Sequence, residues 1–370
     1  MEKYRQFADG GTGVNPFVPH WSHHKKSLIV RFGKMLLMAP FVMLRMVLFL
    51  IATLGLAVAE LVRTVVVVGF LRYPLYRILS AFGCRVMLLA LGVFPRGDSI
   101  ADHRRLKIAP PKTGGGSVFN AAHGTLVFCN QQGLVDVLYL CFRLCPTFVF
   151  VDKDGAPVRL GLFGALRRSA AGPGSISAGA SPASLEEIAA AARSGWGGPV
   201  VVFPEGANTT GSCVLAWKAK TFEGVSALEK PVGVALASLE YSKAPPRQEQ
   251  GQEGDQEHRP QLAGARRRKA GAYTPHHTIS TGLRHVFWMM FQPWHNVSSV
   301  WLPAAEVATT IRGKPLEEQW PQLRTVLTRM IPQAVEVEVY AERHDEFKAY
   351  WDASQKKGYT KPPQVGKKRA

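Results

Sequence analysis

Acidic residues are scarce in this chain: 27 Asp and Glu stand against 45 Lys and Arg, a formal net charge of +18. The deficit is steepest at the start. Residues 1–110 hold 15 basic and 5 acidic side chains, so +10 of the +18 surrounds apolar sequence. That pattern points to anionic lipid headgroups. Nucleic acid is the rival partner for a basic chain, but no nucleic-acid motif is present and none is expected to bind. Cysteine is scarce too. Five residues, an odd number without paired ligand spacing, argue against a disulfide framework and against a metal site. Cys129, Cys141 and Cys145 lie in apolar context and read as buried thiols of a reducing compartment. No Gly-x-Ser-x-Gly occurs; Gly97-Asp98-Ser99-Ile100-Ala101 is only a near miss, which argues against a serine hydrolase. No cleavable signal peptide is expected, because residues 1–34 are polar and basic.

A long uncharged run is missing as well. Met46–Ala59 gives 14 uncharged residues, short of the roughly 20 that span a bilayer. Adding Arg45 extends the segment to Met35–Ala59, with the arginine snorkelling to the interface. Apolar stretches at 61–70 and 86–94 continue it, split by Arg63, Arg72, Arg77 and Arg85. Residues 35–96 therefore read as membrane-embedded or interfacial helices, following a loose polar segment at 1–34; a buried helical subdomain is the plain alternative. Residues 97–341 read as an α/β domain that opens with a polar linker at 97–123. A segment at 242–271, rich in Gln, Glu, Pro, Gly and Arg, reads as a disordered insertion. Residues 342–370 form a polar basic tail ending Lys367-Lys368-Arg369-Ala370.

Within the α/β region one stretch organises the rest. Val200-Val201-Val202-Phe203-Pro204-Glu205-Gly206-Ala207-Asn208-Thr209-Thr210-Gly211 is an apolar β-branched run that ends in a carboxylate and a glycine-bracketed polar loop. Such a run suits a buried parallel strand. Ligands of open α/β sheets bind just past the carboxyl ends of strands, which puts Glu205 at a cleft rim. Pro204 stiffens the exit, and Gly206 and Gly211 let backbone approach a ligand closely. A second run, 124–129, leads into Asn130-Gln131-Gln132-Gly133-Leu134-Val135-Asp136 and a helix over 134–144. Further strands are expected at 147–151, 231–240 and 297–302. Helices are expected after Ser181 as N-cap, over 273–291, and amphipathically over 315–331. Arg167 and Arg168 are candidates for a phosphate, with a solvated helix end as the alternative.

Together the two loops resemble the glycerolipid acyltransferase superfamily, which carries Asn-His-x-x-x-x-Asp after one strand and Phe-Pro-Glu-Gly after another. The 69-residue separation of Asp136 and Glu205 fits that arrangement. The Ala-Asn-Thr-Thr-Gly loop, Lys218, Pro231–Ala235 and Gln292–Val297 look like its lysophosphatidylcholine acyltransferase branch. The opening Met1–Tyr4 and Gly11–Phe17 resemble fungal lysophosphatidic acid acyltransferases of the endoplasmic reticulum and lipid droplets. The resemblance implies an α/β fold with a mixed or parallel sheet flanked by helices, glycerol-3-phosphate acyltransferase-like, preceded by N-terminal membrane helices. It implies a membrane or lipid-droplet protein whose catalytic domain faces the cytosol. Its acceptor would be a lysophospholipid and its co-substrate acyl-CoA, with no cofactor. Asp136 would orient or activate the acceptor, and Phe203, Pro204, Glu205, Gly206, Thr209 and Lys218 would bind it. The chain departs from the family at Gln131, which stands where the family has its general-base histidine. An amide has no pKa near working pH, so Gln131 can position a hydroxyl but cannot take its proton. The base would then be Asp136, His123, or a later histidine (His276, His277, His285 or His295). Otherwise the chain is a catalytically impaired lipid-binding scaffold.

Overall fold

A computed structural model describes residues 2–19, 28–66, 68–108, 121–172, 183–195, 197–225, 233–242, 274–279, 281–310 and 316–355. Two helices come first, α1 (Leu28–Val65) and α2 (Gly69–Ala90), followed by strand β1 (Val93–Ile100) and a short α3 (His103–Leu106). Next come β2 (Leu126–Cys129), α4 (Leu134–Leu144), β3 (Thr147–Val151), β4 (Pro157–Leu160), α5 (Leu162–Ala171), α6 (Leu185–Ser194) and β5 (Val200–Phe203). After these stand β6 (Cys213–Val214), β7 (Val234–Ser242), α7 (Gly282–Met290), β8 (His295–Leu302), α8 (Ala304–Thr310), α9 (Leu316–Met330), β9 (Val335–Glu336) and α10 (Glu342–Gln355).

Seven strands form one mixed sheet in the order β1-β8-β7-β2-β5-β3-β4. The centre is parallel: β2 lies between β5 and β7, and β5 pairs β3. The antiparallel pairs are β7–β8 and β3–β4. Central strands buried on both faces need apolar side chains in both directions, which is why 126–129 and 200–203 read as unbroken apolar runs. Val127, Val201 and Phe203 face α2, α4 and α5. Leu126, Phe128, Val200 and Val202 face α6 and α9. The sheet is thus sandwiched by helices, as an α/β fold requires.

The helix pair meets the sheet through α2, which packs on α4. Among the described residues α1 is the helix long and apolar enough to cross a membrane, over Met35–Val65 at mean hydropathy 2.4. Its outer side chains, Leu36, Leu37, Phe41, Leu44, Leu50 and Leu54 among them, are exposed. The Arg45 guanidinium donates to the carbonyls of Met290, Gln292 and Pro293 at 2.5–2.7 Å.

Several sequence expectations change here. Residues 93–100, read as the end of a helical segment and the start of a linker, are β1, held parallel to β8 with an irregularity between Pro95 and Gly97. The described parts of the polar ends, 2–19 and 342–355, are folded rather than loose. Phe7 and Phe17 from the first 19 residues pack against Phe347 and Tyr350 of α10, with Tyr4 stacked on Trp351 at 5.0 Å. The helix expected over 273–291 begins only at Gly282, and 274–279 is irregular. The N-cap of α6 is Ser184, not Ser181. Ser184 Oγ accepts from the Glu187 N–H at 3.1 Å, and the Glu187 carboxylate accepts from the Ser184 N–H at 3.0 Å. Replacing that reciprocal pair through Ser184→Ala is expected to cost about 1 kcal/mol, read as a lower urea midpoint at unchanged slope. Ser181, the insertion beyond Ser242 and the terminal lysines lie outside the described residues.

Candidate functional site

The carboxyl ends of β2, β5 and β7 converge, and the loops leaving them interlock. Asp136 sits in the first turn of α4. Its Oδ2 accepts from the backbone N–H groups of Gln132 (2.5 Å) and Gly133 (2.7 Å), so it caps its own helix. Its Oδ1 accepts from the Tyr241 hydroxyl at the end of β7. Burial pushes the Asp136 carboxyl up to about 6, against the opposing pull of those three donors.

Glu205 leaves β5 and is enclosed. Its Oε1 accepts from the Gln131 N–H and its Oε2 from the Leu215 N–H, both at 3.0 Å. Burial pushes it up to about 8; the two amide donors and Arg324 oppose that shift, and Asp136 adds to it. Gly206 follows at φ +67°, a left-handed position that suits glycine, and its carbonyl accepts from Arg168 Nη2 at 2.7 Å. The Arg168 guanidinium is therefore turned inward, stacked over Phe150, while Arg167 is exposed. The two arginines do not act as a pair.

Gln131 is tied down. Its Nε2 donates to Asn208 Oδ1 at 2.8 Å, and its carbonyl accepts from the Thr209 N–H and hydroxyl. Asn208 in turn donates to the carbonyls of Ser169 and His277. Thr209 and Asn208 thus lock one motif loop to the other. Phe203 and Pro204 are buried, Phe203 against Phe148 and Phe150. Lys218 does not join the cluster. It pairs with Glu342 and donates to the Lys153 carbonyl.

The histidines separate cleanly. His123 lies at the opposite end of β2, where its Nδ1 accepts from the Gly198 N–H at 3.0 Å. His277 is buried, stacks on His285 at 4.5 Å, and its N–H donates to the Gln132 carbonyl. His285 Nε2 stands 3.1 Å from the Pro275 carbonyl, and burial holds its imidazole well below the usual range. His295 opens β8, in register with Val93 of β1. His276 is half-buried, and its ring meets Tyr241, the partner of Asp136, edge-on at 5.3 Å. A Cβ built on Gly211, itself at φ +71°, would stand 2.6 Å from Gln132 Oε1 and 3.0 Å from His276 Nε2. A side chain at position 211 would crowd both of them.

Asp136, Tyr241 and His276 thus form a chain of contacts from the interior toward the surface. Sequence reasoning missed Tyr241; the sign was its position at the carboxyl end of the strand neighbouring β2. Among the described residues no group of three His, Cys, Asp or Glu is placed to hold a metal ion. Comparison with protein-family models, curated proteins and solved structures found no match. The fold and site therefore define the chain at the level of class: an α/β protein with a mixed seven-stranded sheet, a carboxylate-centred cluster at its strand ends, and one long apolar helix.

Proposed function

We propose that the chain is a membrane-bound acyltransferase that moves a fatty acyl chain from acyl-CoA to a lysophospholipid, with lysophosphatidate the first acceptor. The observation that carries this reading is the contact chain Asp136–Tyr241–His276 beside Glu205, at the carboxyl ends of parallel strands. His276 supplies the imidazole that Gln131 cannot. It takes the proton of the acceptor hydroxyl as that oxygen attacks the thioester carbonyl, the C–S bond breaks, and the proton passes to the departing thiolate. Tyr241 positions His276 through its ring and is itself held by Asp136. Glu205 ties the first motif loop to the segment just past β6 by accepting the Gln131 and Leu215 N–H groups. The exposed apolar face of α1 supports seating at the endoplasmic reticulum or a lipid-droplet surface.

One observation favours a second reading, a lipid-binding scaffold without catalysis. Gln131 is buried and bound to Asn208, so the position that bears the base in the resembled family is structural here. Transfer from radiolabelled oleoyl-CoA to lysophosphatidate by the detergent-purified chain separates the two. Activity is expected in the wild type and is expected to fall at least about a hundredfold in His276→Gln, with a smaller loss in Tyr241→Phe. Activity unchanged in His276→Gln removes the proposed base. Silence in the wild type and in Gln131→His leaves the scaffold.

A further inference from the structure

At the other end of the sheet lies a cavity that the site above does not use. It encloses about 380 Å³, within the roughly 300–1,000 Å³ of small-molecule pockets. Its walls come from the turn between α1 and α2 and from the amino-terminal ends of β3 and β5, with Arg63, Arg72, Arg159, Tyr73, Tyr76 and Thr147 among the lining side chains. The eight residues from Gly197, on this wall, to Glu205 span roughly 25 Å of extended chain, so the two sites are separate.

The charge of this cavity is one-sided. Arg63 is paired with Glu60 at 2.7 Å, and Tyr76 donates to the same carboxylate. Arg72 donates to the Gly195 carbonyl at 3.2 Å and has no acid partner among the described residues. Arg159, exposed on the edge strand β4, makes no ion pair among the described residues. Three guanidinium groups against one carboxylate leave two positive charges. That matches a phosphomonoester, which carries about −1.5 to −2 near neutrality and is the group that planar guanidinium donors grip in bidentate fashion. Close in sequence to the lining Arg63, Thr64 and Arg72, the side chains of Leu61, Val65, Val68 and Phe70 are all more than half exposed. A cationic cavity on helices that present bare apolar side chains suits a molecule with a phosphate at one end and hydrocarbon at the other.

We infer that this cavity binds the phosphomonoester headgroup of a lipid, with the acyl chains lying along the exposed faces of α1 and α2. The site is independent of acyl transfer and stands whether or not that reading does. The test is a binding titration of the full chain in neutral detergent, without acyl-CoA, using three probes: dioctanoyl phosphatidate, dioctanoyl phosphatidylglycerol and glycerol 3-phosphate. The monoester lipid is expected to bind about tenfold more tightly than the diester lipid, the equivalent of one charge-assisted contact. Arg159→Gln and Arg72→Gln are each expected to weaken that preference, the acceptor site of the proposed transferase keeping its own share, while the exposed control pair Arg104→Gln and Arg105→Gln leaves it unchanged. Arg159 lies on the surface, so its variant keeps the test valid if Arg72→Gln does not fold. Equal affinity for the two lipids, or a preference undiminished in Arg159→Gln, overturns the site. Glycerol 3-phosphate binding as tightly as phosphatidate overturns the lipid and leaves a soluble phosphate ester as its occupant. A scaffold that lost catalysis would still show the preference, so failure here and failure of the transferase reading are distinguishable.

Discussion

Glu205→Gln is expected to destabilise the fold by about 3 kcal/mol, although it changes neither the shape nor the size of the side chain. The reason is donor–acceptor arithmetic. Each carboxyl oxygen of Glu205 faces a different backbone N–H, from Gln131 on the loop after β2 and Leu215 just past β6. A carboxylate accepts at both oxygens, and a protonated carboxyl keeps some acceptor capacity at each. An amide accepts only at its oxygen, because its nitrogen carries two hydrogens and no available lone pair. Whichever way the new amide turns, its NH₂ opposes a buried N–H. One hydrogen bond worth about 1 kcal/mol is lost and one donor is left enclosed without a partner, at about 1–3 kcal/mol more. Urea unfolding of the purified chain, followed by tryptophan fluorescence, reads the difference. A Glu205→Gln midpoint equal to the wild type would show that the two amides find other acceptors, and the clamp between the two segments would then be unimportant.

The same residues show what was legible in the sequence and what was not. The central strands, α4 and α9 were legible because burial on both faces, or on one helical stripe, leaves a local signature. Asp136 and Glu205 were legible because each follows such a strand directly. The irregular β1 was not. Arg96, Gly97 and Asp98 interrupt its apolar run, and it is a strand because β8 lies beside it to pair with. Neither was α10, polar in sequence, whose Phe347 and Tyr350 are buried by Phe7 and Phe17, more than 300 residues away in the chain. Tyr241 and His276 escaped for a related reason. They flank the segment beyond Ser242 and meet only because the fold returns the chain to the end of β7. Gln131 shows the reverse hazard. Its motif position suggested a hand in the chemistry, but its side chain is engaged by Asn208.

The pH dependence of stability gives the other large effect, and Asp136→Asn isolates it. Burial raises Asp136 from its ordinary 3.8 to about 6 in the folded chain, and Glu205 from 4.5 to about 8. Between the ordinary and the folded values, the native state holds a proton that the unfolded chain releases. Raising the pH across that interval therefore favours unfolding. The stabilisation is complete below about pH 4 and is lost as pH climbs through the folded values. For Asp136 it amounts to about 3 kcal/mol and for Glu205 to about 5, at about 1.4 kcal/mol per unit. Two histidines act in the opposite sense. Burial holds His285 and His123 below their ordinary 6.5, so their share of the stability rises as pH approaches that value. The interval from 6.5 to 8 is free of both, and there the wild type is expected to lose about 2 kcal/mol. Asn at position 136 can keep the geometry. Its oxygen can accept the two backbone N–H groups that now meet Oδ2, and its amide can donate to the Tyr241 oxygen. The variant should therefore fold while lacking the proton. Its free energy of unfolding relative to the wild type is expected to climb by about 2.5 kcal/mol from pH 4 to pH 7. A constant difference across that range would place the Asp136 carboxyl at its ordinary value. The Tyr241 and backbone donors would then fully offset its burial, and Asp136 would be a plain carboxylate anchoring Tyr241 at every working pH.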